Sequence, residues 1–163
     1  MKKYNKQDQR LLAIWAADCA EHVLPFFENV SPYDKRPREA IETLRTWIRT
    51  GVFSMSEIRG ASLRSHSAAR EVKEKNGAAC FAARAAGQAV ATAHVPQHAF
   101  GAAYYALKAV AVSDSIDVEE KIAEERSWIT RHLPENLREE LSRITVEKRG
   151  DHFFVKLKKD KDF

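Results

Sequence analysis

Cysteine is scarce in this chain. The only two, Cys19 and Cys80, lie in apolar stretches with helical spacing. That excludes a disulfide framework and points to a reducing compartment, where free cysteine behaves as a small buried hydrophobe. The compact signatures of catalysis are missing too. There is no HExxH, no CxxC, no Glu-x-x-His pair, no phosphate-binding glycine loop and no nucleophile elbow. As an enzyme signature the chain is weak, and no cofactor is expected.

Long uninterrupted apolar runs are absent as well. Residues 78–112 come nearest, but Arg84, the His94–His98 interruption and Lys108 argue against membrane insertion. The N-terminus puts basic residues before an apolar run, as a signal peptide does. Asp18, Glu21 and His22 break that run early, and no convincing cleavage site follows. The expectation is a soluble, cytoplasmic protein.

What is present is helical pattern and mixed charge. A chain of 163 residues is expected to form one domain with a sizeable core, without a metal or disulfide. Residues 1–112 carry 16 Lys+Arg against 10 Asp+Glu, and residues 113–163 carry 11 against 13. The basic excess is spread over helix faces, with no nucleic-acid motif or aromatic-basic platform, which makes a nucleic-acid partner the weaker expectation.

The periodicity predicts an all-α bundle of about seven helices. A first helix spans about 7–28, kinked or ended by Pro25. A second runs from Pro37 to Thr50, with Gly51 past its end. The third follows Ser54-Met55-Ser56-Glu57, which reads as a capping box, and runs to about Lys75, where Asn76-Gly77 ends it. Its inner face is mostly small, so another backbone can approach closely. Helices at about 78–94 and 97–112 are apolar all round and must be surrounded by other helices, which makes them the expected centre. A sixth helix follows Ser113-Asp114-Ser115, with Asp117 and Glu120 as a cap pair, and a short seventh starts at Pro134. Residues 145–163 form an extension of the same domain: a small β-hairpin turning at Arg149-Gly150-Asp151, then a frayed tail from Lys158. The Arg-Gly-Asp triplet reads as a turn rather than an adhesion signal.

Polar residues on apolar faces are the candidates for function, because burial of such groups must be compensated. Asp18 and His22 fall on the arc of Leu11, Trp15, Cys19 and Val23, four residues apart. They read either as a satisfied structural pair or as a site in which Asp18 orients His22. Arg84, Gln88 and Thr92 make the only polar stripe of the fourth helix. That stripe is either a narrow solvent-facing strip or a place from which Arg84 reaches a carboxylate such as Asp18 or Glu39, or an anionic group of a partner. His94 and His98 have the spacing of a helical metal pair, but Pro96 between them disturbs the helix. Arg36, Arg38 and Glu39 surround the start of the second helix, where a charged rim is usually just solvated. His66 and Arg70 edge the third helix's apolar face. If Asp18, His22, Arg38, Glu39, His66, Arg70, Arg84, His94 and His98 converge, they make one polar cleft. Whether that cleft takes a metal, a ligand or a protein is open at this point.

Several ordered blocks resemble a known family. They are Trp15-Ala-Ala-Asp18-Cys19-Ala-Glu21-His22-Val-Leu-Pro25, Arg36-Pro37-Arg38-Glu39-Ala40-Ile41 and His66-Ser-Ala-Ala-Arg70. Ala82-Ala-Arg84-Ala-Ala-Gly87-Gln88 through Thr92-Ala-His94-Val95, then His98-Ala-x-Gly101-Ala-Ala-Tyr104, continue the match. Over about 9–144 the chain resembles the immunity proteins assigned to bacterial toxin–immunity loci. The resemblance implies an all-helical cytoplasmic protein that protects its own cell by binding a cognate toxin protein, with homo-oligomerisation open. Two alternatives stand beside it: a small helical metal-binding protein or enzyme built on the His/Asp/Arg cluster, and a helical protein- or nucleic-acid-binding module.

Overall fold

Alanine sets the spacing of this molecule. In the computed structural model, which describes residues 2–158, helix α4 (Gly77–Ala91) buries Ala78, Ala79, Ala82, Ala83, Ala85, Ala86, Gly87 and Ala89 together with Cys80 and Val90. Methyl-sized side chains on every face let neighbouring backbones close in from all directions. Helices α1 (Lys6–Glu28), α2 (Arg36–Thr50), α3 (Met55–Val72) and α5 (His98–Ala111) all pack on α4, so the central position expected of the apolar hairpin is the observed one. Helix α6 (Val118–His132) covers α5 from outside. A 3-10 helix (Glu135–Arg143) leads into an antiparallel pair, β1 (Ile144–Arg149) and β2 (His152–Leu157), and β2 lies against α5. None of the helices is long and apolar enough to cross a membrane among the described residues.

Local chemistry explains most element ends. Side chains of Asn5, Ser54 and Asn76 accept from the backbone N–H three residues on, satisfying donors that a helix start leaves open. Gly51, at φ 69°, closes α2 in the left-handed conformation that suits glycine. Gly150, at φ 61°, is the first of two residues between paired Arg149 and His152, the sign a type II′ hairpin turn requires. The Arg-Gly-Asp triplet is thus a turn.

Several boundaries differ from the sequence reading. Pro25 does not end α1, because its ring sits in the last turn on the exposed side and removes only one hydrogen bond. Helix α3 stops at Val72, and Asn76 caps α4 rather than ending α3. Helix α4 itself ends at Ala91, where Gln9 of α1 reaches across and donates to the Thr92 and Ala93 carbonyls. The Asp117 side chain makes no cap bond to α6. Its carboxylate instead accepts from Ser115 Oγ at 2.6 Å. The tail expected from Lys158 lies, beyond that residue, outside the described residues.

Candidate functional site

The polar residues singled out in the sequence sort into separate groups. Among the described residues no hydrogen bond or ion pair joins the cluster between α3, α4 and α5 to the one around α1.

The first group lies in the seam between α3, α4 and α5. Ser62 and Ser65 of α3 donate to the Gly87 and Ala83 carbonyls at 2.9 and 2.7 Å, drawing α3 onto the α4 backbone. The His66 ring lies directly over Gly87: a Cβ there would sit 2.8 Å from Nε2. One helix further on, Gln88 lies over Gly101 in the same manner, at 2.7 Å from an added Cβ. Gln88 Oε1 also accepts from His98 Nδ1 at 2.7 Å. Two bare glycines thus make room for two polar side chains. Burial, reinforced by Arg84, Arg70 and His98, pushes the His66 imidazole down to about 4, so it is neutral at physiological pH. Burial, then His94, lowers His98 as well. His66 Nδ1 is buried with no hydrogen-bond partner among the described residues.

Among the described residues Arg84 meets no carboxylate. Its guanidinium lies over the Tyr105 ring at 5.9 Å. Of the stripe Arg84–Gln88–Thr92, Arg84 and Gln88 are half-buried on the least covered side of α4, and only Thr92 is fully buried. Arg70 is exposed beside His66.

The second group lies where α1 meets α2 and α6. Asp18 and His22 do not pair with each other. Asp18 accepts from Arg45 Nη2 at 2.6 Å, and the same guanidinium also reaches Glu21 at 2.8 Å. His22 turns instead to Glu125 of α6, with Nδ1 2.8 Å from Oε2, and stacks on Trp128 at 4.4 Å. The Glu125 side chain is only 7% exposed, and burial raises its carboxyl above the ordinary range although His22 pulls it back. Arg38 forks onto Glu28, holding that carboxyl below its ordinary value. Arg36 bridges Asp34 to Glu71 near the end of α3.

Arg45, Glu21, Glu28 and Glu125 were not singled out from the sequence. A signal existed for the first three. Arg38 and Arg45 are seven apart on α2, Glu21 and Glu28 seven apart on α1, and the pairs run in opposite directions, as antiparallel packing demands.

The remaining candidates face solvent. His94 is exposed on the connection between α4 and α5, so it does not share a helix with His98. It rims a groove of about 630 Å³, between the start of α1, the end of α2 and the start of α3. Glu39 lines a different groove with Glu42 and Glu57, and Trp47 borders both. Among the described residues no group of three or more His, Cys, Asp or Glu side chains is placed to hold a metal ion.

No curated protein and no solved structure matches this chain. One family model does match, over residues 2–136, and its description is "Imm-5 like putative immunity protein". That span takes in all six α-helices and stops at the start of the 3-10 helix, leaving the hairpin outside. With well over half of its length matched, and the matched blocks folded as one α-helical bundle, the chain belongs to the Imm-5 like immunity protein family.

Proposed function

We propose that this protein is a bacterial, cytoplasmic immunity protein that neutralises a cognate toxin by binding it directly. The observation that carries this reading is the family match across all six α-helices. The construction is in keeping with it. Neutralisation by capture needs a stable scaffold and a complementary surface, and electrostatic matching speeds the encounter. Of the nine residues singled out, His22, Arg38, Glu39, Arg70 and His94 are exposed and available to a partner, whereas His66 and His98 sit mostly inside the seam.

The test is affinity capture with the tagged full chain from its native bacterium, with partners identified by mass spectrometry. The expected result is a stoichiometric protein that kills cells when expressed alone and spares them when this chain is co-expressed. If the captured protein kills equally with and without this chain, direct neutralisation is wrong.

A further inference from the structure

We propose that the groove at the corner of α1, α2 and α3 is where an acidic, apolar-anchored segment of the partner protein docks. The proposal rests on the toxin-binding reading and adds the surface and the chemistry of what it takes.

The groove's floor is apolar. Trp47 and Ile48 end α2 there, and Phe53 and Met55 bracket the turn into α3. Phe53 and Met55 remain 45% and 42% exposed, and neighbouring Val52 75%. A run of large apolar side chains left open on a small protein marks an interaction surface. Its volume suits one or two anchoring side chains, the unit by which interfaces concentrate affinity.

The rim supplies the charge. Lys6 and Arg10 project from α1 one turn apart, with His94 beside them. Neither Lys6 nor Arg10 has a carboxylate partner among the described residues, and no Asp or Glu lines the groove. The contrast is with Arg36, Arg38 and Arg45, each of which is engaged by carboxylates. Free cations around an apolar floor call for an occupant with carboxylates flanking a hydrophobic residue. A polyphosphate strand is disfavoured. Two cations are few for one, and beyond Trp47 the balance turns acidic, with Glu39, Glu42 and Glu57 against Arg64 in the adjoining groove. The site is also rigid on one side, because Gln9, between the two cations, is bonded to the end of α4.

The experiment uses the full chain and a short fluorescein-labelled peptide with Leu and Phe flanked by Asp and Glu. Its partner probes are the same peptide with every acid changed to Lys, and an oligothymidine. Anisotropy titrations report binding. The expected result is saturable binding of the acidic peptide alone, weakened by about tenfold or more in Lys6→Glu/Arg10→Glu and unchanged in Glu42→Gln/Glu57→Gln. Both double variants alter exposed side chains, and circular dichroism checks their fold. The proposal is overturned by no saturable binding, by equal binding of the lysine peptide or oligothymidine, or by indifference to Lys6→Glu/Arg10→Glu. The captured toxin separates the two readings. If Lys6→Glu/Arg10→Glu still neutralises it, the groove proposal falls and the immunity reading stands. If the acidic peptide binds as described while no neutralisation is found, the immunity reading falls and the groove remains.

Discussion

The seam between α3, α4 and α5 and the junction of α1, α5 and α6 solve the same packing problem in opposite ways. The seam closes by removing side chains: Gly87, Gly101, alanines and two serines let backbones approach until imidazole and amide groups fill what is left. The junction closes by adding bulk. Trp15 is 1% exposed, packs against Phe100 with ring centroids 5.6 Å apart, and donates from Nε1 to the Ile129 carbonyl at 2.9 Å. Their histidines differ accordingly. In the seam His66 is largely covered, lies near cations and is held neutral; at the junction His22 is half open and faces the buried carboxylate of Glu125. A histidine's role in this fold is set by what the neighbouring helix brings, not by the helix that carries it.

Deleting bulk at the junction gives the largest expected effect. Trp15→Ala leaves a cavity and an unpaired Ile129 carbonyl, and is expected to cost ~3–5 kcal/mol in urea unfolding. A loss below about 0.5 kcal/mol, the scale of a surface change, would show that bulk is not what closes this region. Adding bulk at the seam comes next. Gly87→Leu drives a Cβ into the His66 ring and is expected to cost about 3 kcal/mol, the upper end for overpacking. Gln88→Leu, losing one bond to His98, is expected to cost about 1 kcal/mol. Gly87→Ala combined with His66→Ala should recover part of the loss of Gly87→Ala, because the added methyl then occupies the space of the ring. Additive losses would place the constraint elsewhere than in this contact.

The seam's chemistry was partly legible in the sequence and the junction's hardly at all. Small residues along α3 and an all-apolar α4 announce close backbone approach, and the arc of Trp15 announces a buried face. Polar residues on those faces announced themselves too, but not their partners. Asp18 and His22 lie four apart on one helix, so a local rule pairs them. The structure instead gives each a partner on a different helix, Arg45 and Glu125. Helical spacing fixes which side chains share a face, whereas helix order and tilt decide what that face meets. The connection from α4 to α5 misled for a related reason. An apolar run continues through Thr92 and Ala93, and only the Gln9 side chain from α1 reveals that the helix has already stopped.

Acid should weaken the seam. His66 ordinarily titrates near 6.5 but in the fold only at about 4. Below pH 6.5 the unfolded chain takes up a proton that the folded ring refuses, so stability falls as pH drops from 6.5 to 4. The expected loss is about 2 kcal/mol, reduced from the full linkage value because the ring is not wholly sealed from water. Urea unfolding at several pH values should show the slope in the native chain and a flatter one in His66→Ala. The imidazole proton resonances should place the ring's midpoint near 4. Equal slopes in both proteins would remove His66 as the acid-sensitive element.

The junction should respond in the other direction, and more weakly. Glu125 is raised above the ordinary carboxyl range chiefly by burial, with His22 only partly offsetting it. As pH climbs past 4.5, the unfolded carboxyl ionises before the folded one, so this residue subtracts stability until the folded group ionises as well. Glutamine keeps an oxygen to accept from His22 Nδ1 but carries no charge to desolvate. Glu125→Gln is therefore expected to change stability by less than about 1 kcal/mol at pH 7 and to gain on the native chain between pH 4.5 and 7. If the native chain gains on Glu125→Gln over that range, the His22–Glu125 pair is a net stabilising ion pair. Attraction would then outweigh burial at the junction, and its contrast with the seam would lie in charge pairing rather than in bulk alone.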